Sequence, residues 1–577
     1  MRWNRWREQQ NEDLPVDVYP CSNGEFIPPP PTQEQHQIMA LAEQETERWR
    51  RRFGMSRRDF VRTSAAMAVG FWAVDTVTGG RWGRYAVAHN TETTDACDLE
   101  WDEATGKAQL ANLPGEFVFD VQSHHVDPEG LWRVNNPSFH VVFAALWEQS
   151  GPLGNPPGVR DDGSVRGFGG GEIDPIQNLS RFHYFKELYL DSATTMTVLS
   201  AVPSAPDLRN PLPIAEAAET VEMVNRMAAS QRAVMHAFVM PNRGSAGNNT
   251  EGYGLKPVFM QEEFDAMEER AVLYNGILRG WKVYCPWGDV SGQSGWFLDS
   301  EDIGFPFLQK VLDISNRPGS RVPAVVATHK GFALPGFDQR AASPKDIGPA
   351  AKAFPGIKFL VYHSGHDTGE GPQRDYPGDE AVDVSGRSVN ALIKTLRMNG
   401  LDGPSNGGNS PNVYAELGSV WRDYMGNADS AAHLIGKLVK HVGPKRVVWG
   451  TDSLWYGSPH REIVALRMLE MTNQTKELYN LPYGLDGDID DPTRLATDPS
   501  RTIRNGILGR NAAEAYGIDP DAARNAISCD EVNEMRLDYL KGVGTPLERT
   551  EFRSNELLGF RTRREFLTDF RNKPWAP

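Results

Sequence analysis

Eight short apolar segments, separated by amphipathic stretches, constrain this 577-residue chain more than any other feature. They are almost continuously hydrophobic, which is typical of strands buried on both faces of a parallel sheet. The predicted strands are Glu116–Gln122, Thr195–Val202, Ala233–Met240, Gly280–Cys285, Val322–His329, Ile357–His363, Asn412–Leu417 and Arg446–Asp452.

Helical patterns separate most of these strands. Apolar residues recur at three- and four-residue spacing in segments such as 304–315 and 429–443, and several of the segments end in glycine. This alternation predicts an α/β fold, a (β/α)8 TIM barrel with long loop insertions and with N- and C-terminal extensions. A doubly wound sheet is the alternative, although it rarely needs eight strand–helix units.

The predicted barrel occupies residues 116–518. An N-terminal extension (1–54), a segment with the features of an export signal (55–88) and a linker (89–115) precede it, and a C-terminal helical extension (519–577) follows it. Insertions rich in Gly, Asn and Pro follow the first and third strands, where barrel loops build the active-site face. The run Gly167–Glu172 is a weak phosphate-loop signal, because no apolar strand immediately precedes it, and a flexible loop is favoured.

The segment 55–88 resembles a twin-arginine export signal. Arg57 and Arg58 precede Phe60 and the apolar run Ala65–Val74, and small residues near Ala88 offer a cleavage site. The apolar run is too short to span a bilayer. We therefore expect export to the periplasm or cell envelope through the twin-arginine translocase. The alternative is a cytoplasmic protein in which this segment is a docked helix.

Charge and cysteine content exclude several classes of function. The formal net charge of −16 argues against non-specific binding of nucleic acid and against a basic membrane-surface protein. The four cysteines form no CxxC pair, so neighbouring thiolates cannot build a zinc cluster. A small-molecule substrate is the expected partner, with no nucleic acid and no transmembrane span, and a homo-oligomer is compatible with the sequence.

Four predicted strands end in residues that can bind a metal ion. His124 lies just beyond the first strand, His329 ends the fifth, His363 the sixth and Asp452 the eighth. The carboxyl ends of barrel strands meet at one mouth, so these distant residues are expected to converge. Burying so many polar groups without partners would cost about 1–3 kcal/mol each. A shared cation would remove that cost, and this composition suits a catalytic zinc site with a position open for water.

At these positions the chain resembles the amidohydrolase superfamily, in the branch of aminocarboxymuconate-semialdehyde decarboxylases, aromatic-acid decarboxylases and related metal-dependent hydrolases. The first strand of that family usually reads DxHxH, and "DVQSHH" matches it at Asp120 and His124, with Gln122 in the first histidine position. The segments "VVATHKGF", "FPGIKFLVYHSGH" and "VGPKRVVWGTDSLW" resemble the fifth-, sixth- and eighth-strand motifs. The resemblance covers roughly residues 116–518.

The resemblance implies one divalent metal ion, zinc or manganese, held by His124, His329 and Asp452. Gln122 is then a weak oxygen ligand, or a hydrogen-bond donor to metal-bound water. Asp452 and His363 are the implied catalytic residues. Asp452 would accept a proton from bound water, and His363 would polarise or protonate the substrate or serve as a further ligand.

Two more residues near strand ends are candidates for substrate binding. Lys282 is interpreted as a contact for a substrate charge or as a member of a structural ion pair. Glu416 ends the seventh strand, where it could also hold the second nitrogen of a histidine. His125 is expected to point away from His124 and to pack, and His366 is expected in the loop after the sixth strand.

Three functions are compatible with this set of residues. The leading hypothesis is a metal-dependent hydrolase that attacks an amide, ester or lactone of a small organic acid with a metal-activated water. The first alternative is a non-oxidative, metal-dependent decarboxylase of the same branch, which would use the same ligands with substrate oxygens bound to the metal. The second is a catalytically inactive barrel used for binding or assembly, which the glutamine at position 122 favours.

Overall fold

The computed structural model describes fourteen stretches of the chain and four separate residues. These are residues 30–55, 57–61, 64–85, 116–132, 179–204, 210–242, 244–249, 253–255, 257–287, 295–333, 337–367, 388–455, 457–527 and 530–542, together with 14, 16, 18 and 19. The predicted linker and the glycine run Gly167–Glu172 lie outside the described residues.

Eight parallel strands form a barrel in chain order. They are β1 Phe119–Ser123, β2 Met196–Leu199, β3 Ala233–Phe238, β4 Leu278–Val283, β5 Val325–His329, β6 Lys358–Tyr362, β7 Val413–Glu416 and β8 Val447–Val448. Backbone hydrogen bonds join β1 to the chain just after β8. Val121 N–H donates to the Trp449 carbonyl (3.0 Å), and Asp452 N–H donates to the Gln122 carbonyl (2.8 Å). The predicted TIM barrel is confirmed.

Seven of the eight strands are shorter than the apolar segments that predicted them, and β4 has the predicted length but begins two residues earlier. The difference is largest at β8, which has two residues. The chain leaves strand geometry before Asp452, whose φ is +58°. Part of the insertion after β3 also forms an antiparallel pair between Gly244–Asn249 and Tyr253–Leu255.

Helices cover the outside of the barrel. Ile214–Ala228, Pro257–Leu273, Gly304–Ser315, Ile347–Ala353, Val389–Asn399 and Ala428–His441 follow β2 to β7 in turn, and Gly418–Tyr424, His460–Met468 and Asn511–Tyr516 lie between or after them. Local sequence signals explain several helix ends. The Asn427 side chain accepts the Ser430 N–H at the start of Ala428–His441, and Gly400 ends Val389–Asn399 in a left-handed conformation.

The apolar core has two layers, as a closed barrel requires. Phe119, Val121, Val198 and Leu360 belong to a buried cluster that also contains Tyr516. A larger cluster lies mainly between the strands and the surrounding helices. This double burial explains why the strand sequences are hydrophobic on both faces.

The N-terminal segment packs onto the barrel. Helices Gln33–Arg52 and Ser64–Thr78 lie against each other, and strand Gly83–Tyr85 pairs antiparallel with Leu469–Met471. The Tyr85 hydroxyl donates to the Met425 carbonyl (2.5 Å). The structure therefore contains the docked helix that the sequence offered as an alternative, while export itself stays a prediction.

The described part of the C-terminal extension is helical, with helices Pro520–Ile527 and Glu531–Gly542. It is attached to the barrel by a buried ion pair, in which Arg232 Nε lies 2.6 Å from Asp530 Oδ2. No helix among the described residues has the length and hydropathy needed to cross a bilayer.

Candidate active site at the mouth of the barrel

The predicted site residues converge at the carboxyl ends of the strands. Each is buried, with at most 2% of its surface exposed: Gln122, His124, Lys282, His329, His363, Glu416 and Asp452. They come from β1, β4, β5, β7 and the turns that follow β1, β6 and β8. The barrel therefore brings together polar side chains that are far apart in sequence.

Asp452 is the centre of the hydrogen bonds at this mouth. Its Oδ1 accepts a hydrogen bond from Gln122 Nε2 (2.8 Å) and lies 3.2 Å from His124 Nε2. Its Oδ2 accepts one from the Ser419 hydroxyl (2.9 Å). A positive φ in a residue other than glycine is strained, and such strain is common at functional sites. The turn at Asp452 brings its carboxylate between three side chains.

The Gln122 amide faces Asp452 with its NH2 group. The amide oxygen, Oε1, is buried and has no hydrogen-bond partner among the described residues. The opposite orientation would place two oxygen acceptors together, so the hydrogen-bond network assigns this one. Gln122 thus acts as a donor to Asp452.

Both ring nitrogens of His124 face oxygen acceptors. Nδ1 lies 2.9 Å from the Ser200 carbonyl, and Nε2 faces Asp452. Since both acceptors need an N–H, the protonated ring satisfies the two contacts together. Trp455 stacks on this ring at 5.5 Å between centroids. His124 and Asp452 can therefore share a proton inside the barrel.

His363 presents a different nitrogen to the site. Its Nδ1 accepts the Ser419 backbone N–H (3.1 Å), so the proton of the neutral ring resides on Nε2. That Nε2 lies 3.4 Å from Gln122 Nε2. His363 can hence donate a hydrogen bond to a substrate oxygen.

Glu416 supports the turn that carries His363. One carboxylate oxygen accepts the His363 backbone N–H (2.8 Å) and the other accepts the Gly418 N–H (2.6 Å). Neither contact is to an imidazole nitrogen. Burial raises the pKa of Glu416 well above its usual range, and the Asp452 charge raises it further. The described contacts give Glu416 a positioning role.

Glycine is required at two positions beside Glu416. A Cβ at Gly418 would lie 2.7 Å from both Gln122 Oε1 and His363 Nδ1, and one at Gly450 would lie 1.8 Å from Glu416 Oε1. Real Cβ atoms do not approach so closely. These glycines let the backbones of β7 and the chain after β8 approach the site.

Lys282 brings a buried cation to the barrel interior. Its Nζ lies 3.6 Å from the centroid of the Tyr362 ring. Burial lowers the pKa of His329 well below its usual range, and the Lys282 charge is the next cause. The ring centroids of His329 and His363 are 4.6 Å apart. Since the charge of Lys282 also acts on His329, Lys282 and His363 both lie near His329.

Several functional contacts were missed at the level of sequence. Ser419 lies in a helix that follows β7, and Tyr362 precedes His363 in an apolar strand, so neither belongs to a chemical motif. His236 lies within predicted strand 233–240, and its ring nitrogens contact the hydroxyls of Tyr362 (3.2 Å) and Tyr516 (2.8 Å). Its position two residues before the end of β3 was the available signal.

Asp120 and His125 have structural contacts. Asp120 accepts the backbone N–H of Gln122 (3.0 Å) and of Thr451 (3.2 Å), which ties β1 to the chain after β8. Burial raises its pKa to about 7. His125 contacts Thr220 Oγ1 at 3.0 Å through Nε2, and burial lowers its pKa to about 4.

The predicted metal ligands do not form a complete set as they stand. Among the residues that the structure describes, no three His, Cys, Asp or Glu side chains could hold one ion together. The Asp452 oxygen nearest His124 already accepts an amide hydrogen of Gln122. A hydrogen-bond donor thus occupies the side where a ligand oxygen was predicted. This donor set does not fit a resident divalent ion, and the zinc or manganese ion stays a prediction.

Solved structures with a similar fold cover most of the chain. An uncharacterised TIM-barrel protein from Bordetella bronchiseptica is 12% identical, with a TM-score of 0.35, over 69% of this chain and 98% of its own. A putative 2-pyrone-4,6-dicarboxylic acid hydrolase from Pseudomonas putida is 13% identical (TM-score 0.34; 70% and 97%). The 5-carboxyvanillate decarboxylase from Sphingomonas paucimobilis is 11% identical (TM-score 0.36; 70% and 99%).

A dihydroxybenzoic acid decarboxylase from Polaromonas, 12% identical with a TM-score of 0.33 over 70% of this chain and 97% of its own, was solved with bound manganese. No curated protein matches the chain. The family model described as Amidohydrolase matches residues 407–518, which contain β7, β8, Glu416 and Asp452. The resemblance to the amidohydrolase family is therefore confirmed over this part of the barrel.

Proposed function

We propose that the chain is a non-oxidative decarboxylase of a small organic acid. The observation that carries this proposal is the pairing of a buried cation, Lys282, with a proton-sharing pair, His124 and Asp452, at one barrel mouth. Hydrolysis by a metal-activated water needs three or more ligands, and the described residues supply no such set. Decarboxylation needs a cationic contact for the carboxylate and a proton donor, and in this proposal Lys282 supplies that contact in place of the metal ion expected from the family resemblance.

The reaction assigned to these residues balances without an external oxidant. Lys282 holds the substrate carboxylate. For an ortho-hydroxyaryl acid, the His124–Asp452 pair transfers a proton to the ring carbon that bears the carboxylate as the phenolate becomes a ketone; the carbon–carbon bond then breaks, CO2 leaves, and the electron pair returns to that oxygen. For a β-keto acid, the carbon–carbon bond breaks first, CO2 leaves and the electron pair moves to the keto oxygen; the pair then transfers its proton to the carbon that lost CO2. His363 Nε2–H donates a hydrogen bond to that oxygen as its negative charge develops.

The surroundings favour a planar substrate. The Phe332 ring lies 4.6 Å from the His329 ring and 5.1 Å from the His363 ring, and Trp455 stacks on His124. Aromatic side chains pack well against flat rings. The proposed substrates are thus ortho-hydroxyaryl acids and β-keto acids, in which an oxygen is placed to receive the electron pair.

The test compares acids with esters and lactones of the same carbon skeleton. The purified full chain is incubated in D2O with each compound, and CO2 release and deuterium incorporation are measured by mass spectrometry. We expect one deuterium at the carbon that lost CO2. Lys282→Met should lower kcat/KM by about 10- to 100-fold, because a hydrogen bond to a charged group is lost. Lys352→Met, at an exposed helix position, is the matched control.

Two other outcomes would overturn the proposal. Hydrolysis of an ester or lactone without CO2 release from any acid would establish the hydrolase hypothesis. Turnover of no compound, with and without added zinc or manganese, would leave the inactive binding barrel as the best account.

A further inference from the structure

Three side chains beside the barrel mouth form a continuous hydrogen-bonded chain. His366 Nδ1 lies 2.7 Å from Ser388 Oγ, and His366 Nε2 lies 3.0 Å from Asp423 Oδ2. His366 has no exposed surface, and Ser388 is 3% exposed. A hydroxyl, an imidazole and a carboxylate in this order are the components of an activated serine nucleophile.

These residues come from three separate elements. His366 follows the turn His363–Gly365, Ser388 precedes helix Val389–Asn399, and Asp423 lies in helix Gly418–Tyr424. Two of these elements also supply His363 and Ser419 to the barrel site. The serine group is thus adjacent to that site, but it uses other side chains.

The backbone of Ser388 is held in an unusual conformation, with φ +52° and ψ −141°. In a residue other than glycine such a conformation costs about 1–3 kcal/mol and is typical of functional positions. Nucleophilic serines at the start of a helix occupy strained turns of this kind, because the turn presents the hydroxyl away from the backbone.

The Ser388 hydroxyl does not cap the helix that it precedes. At three other helix starts in this chain, Thr32, Asn427 and Thr472 accept a backbone N–H of the first turn with their side chains, whereas Ser180 makes no such bond. Ser388 makes no such bond, and its hydroxyl contacts His366 instead. The missing cap leaves the Ser388 hydroxyl directed at His366, and the contact of His366 with Asp423 completes the group.

We propose that Ser388, His366 and Asp423 form a second catalytic site that transfers or hydrolyses small acyl groups. Asp423 accepts the Nε2–H of His366, which leaves Nδ1 free of a proton and able to accept the hydrogen of the Ser388 hydroxyl. N–H groups of the first turn of Val389–Asn399 lie near Ser388, where the negative charge on the attacked carbonyl would be stabilised.

The proposed reaction has two balanced steps. Ser388 Oγ bonds to the acyl carbon while its proton moves to His366, and the bond to the alcohol breaks as His366 returns that proton to the alcohol. Water then bonds to the acyl carbon and gives a proton to His366. The bond to Oγ breaks, and Ser388 recovers its proton. Because Ser388 is almost buried, the acyl donor must be small, such as a short-chain ester.

Methanesulfonyl fluoride tests the nucleophile directly, because its single methyl group is small enough for a buried serine. Attack by Ser388 forms an O–S bond and releases fluoride, and intact mass with peptide mapping locates the adduct. We expect one adduct at Ser388 in the full chain and none in Ser388→Ala. His366→Gln and Asp423→Asn should each slow labelling by ~10²-fold or more, since both weaken proton removal. Ser430→Ala, near the start of another helix, is the matched control.

Labelling is read by mass and is independent of decarboxylation, so failure of either proposal is distinguishable from failure of the other. Thermal unfolding followed by circular dichroism establishes that each variant is folded. Absence of an adduct at Ser388, or an equal labelling rate in folded His366→Gln, would overturn the second site.

Discussion

The Gln122 amide donates a 2.8 Å hydrogen bond to Asp452 Oδ1. In a site with histidine at position 122, an imidazole nitrogen could turn its lone pair toward a cation held beside the same carboxylate. The amide NH2 has no lone pair to offer and carries partial positive charge itself. This one contact allows the Asp452 carboxylate to be satisfied by the protein's own groups.

Replacing this glutamine should create metal affinity. Gln122→His replaces an amide with an imidazole, a better donor to zinc-like ions, so tighter binding is expected. Metal content per chain and chelator competition measure the effect. Gln231→His, at an exposed position, controls for an added histidine. One tightly held ion in the parent would contradict the donor role given to Gln122, and equal affinities would place position 122 away from any metal.

His363→Asn should lower the catalytic rate by ~10²–10³-fold, because a hydrogen-bond donor to the developing charge is removed. The asparagine oxygen can still accept the Ser419 N–H, so the local fold should persist. Steady-state CO2 release and metal content are measured together. An unchanged rate would remove His363 from the mechanism, and a loss of bound metal would show that it is a ligand.

The ionisation of Asp75 should lower the free energy of unfolding as pH rises from 4 to 7. Burial raises its pKa to about 7, although Tyr85 N–H opposes the shift. As pH rises from 4 to 7 the unfolded chain loses this proton first, so the folded state loses stability relative to it. Asp75→Asn cannot ionise, and its oxygen can still accept the Tyr85 N–H.

The Tm of the parent minus the Tm of Asp75→Asn should therefore decrease between pH 4 and pH 7. Asp265→Asn, at an exposed helix position, is the control for a lost carboxylate. A Tm difference that increases with pH would show that the charged carboxylate of Asp75 stabilises the folded state.

Export is tested by changing Arg57 and Arg58 to lysine together. Lysine keeps the charge but lacks the guanidinium fork, so a twin-arginine receptor should no longer recognise the segment. Arg57 is ion-paired with Glu43 and Glu47 in the folded chain. We expect the full-length variant to remain in the cytoplasm on fractionation. Arg563 and Arg564 precede Phe566 in a second Arg-Arg-x-Phe sequence that no apolar run follows, so the same change there is the matched control. Identical fractionation of the parent and the Arg57/Arg58 variant would reject export.

Ser388→Gly should separate stability from reactivity. Glycine adopts φ +52° without steric cost, so Tm should rise by about 1–3 °C while labelling by methanesulfonyl fluoride disappears. Ser388→Ala keeps the Cβ and should show no such rise. An equal loss of Tm in both variants would indicate that the hydroxyl has a structural role.

The fold was predictable because burial on both strand faces leaves a simple hydrophobic pattern. The helix predicted at 304–315 has those bounds, and the helix predicted at 429–443 is Ala428–His441. The end of β8 was less predictable. Its apolar run continues to Trp449, but the turn at Asp452 depends on contacts with β1.

The site was predictable where a residue lies at or just beyond the end of a strand. His329 and Glu416 have such positions, and the barrel geometry brings them to the mouth. Ser419, Ser388 and Asp423 precede or lie within helices, and nothing in their local sequence indicates which side chain they will meet. The orientation of the Gln122 amide could not be predicted from the sequence either, because it depends on the position of Asp452 in the folded chain.

Ser419 and Asp423 lie one helical turn apart on Gly418–Tyr424, and each contacts a different histidine, His363 and His366. A helix of two turns moves as a rigid body, so a tilt that lengthens one contact also displaces the other. The two sites are therefore mechanically coupled through this helix. A ligand at the barrel mouth that shifts this helix would change the affinity for a ligand beside Ser388. Thermodynamic linkage then requires that the ligand beside Ser388 changes the affinity at the barrel mouth by the same factor.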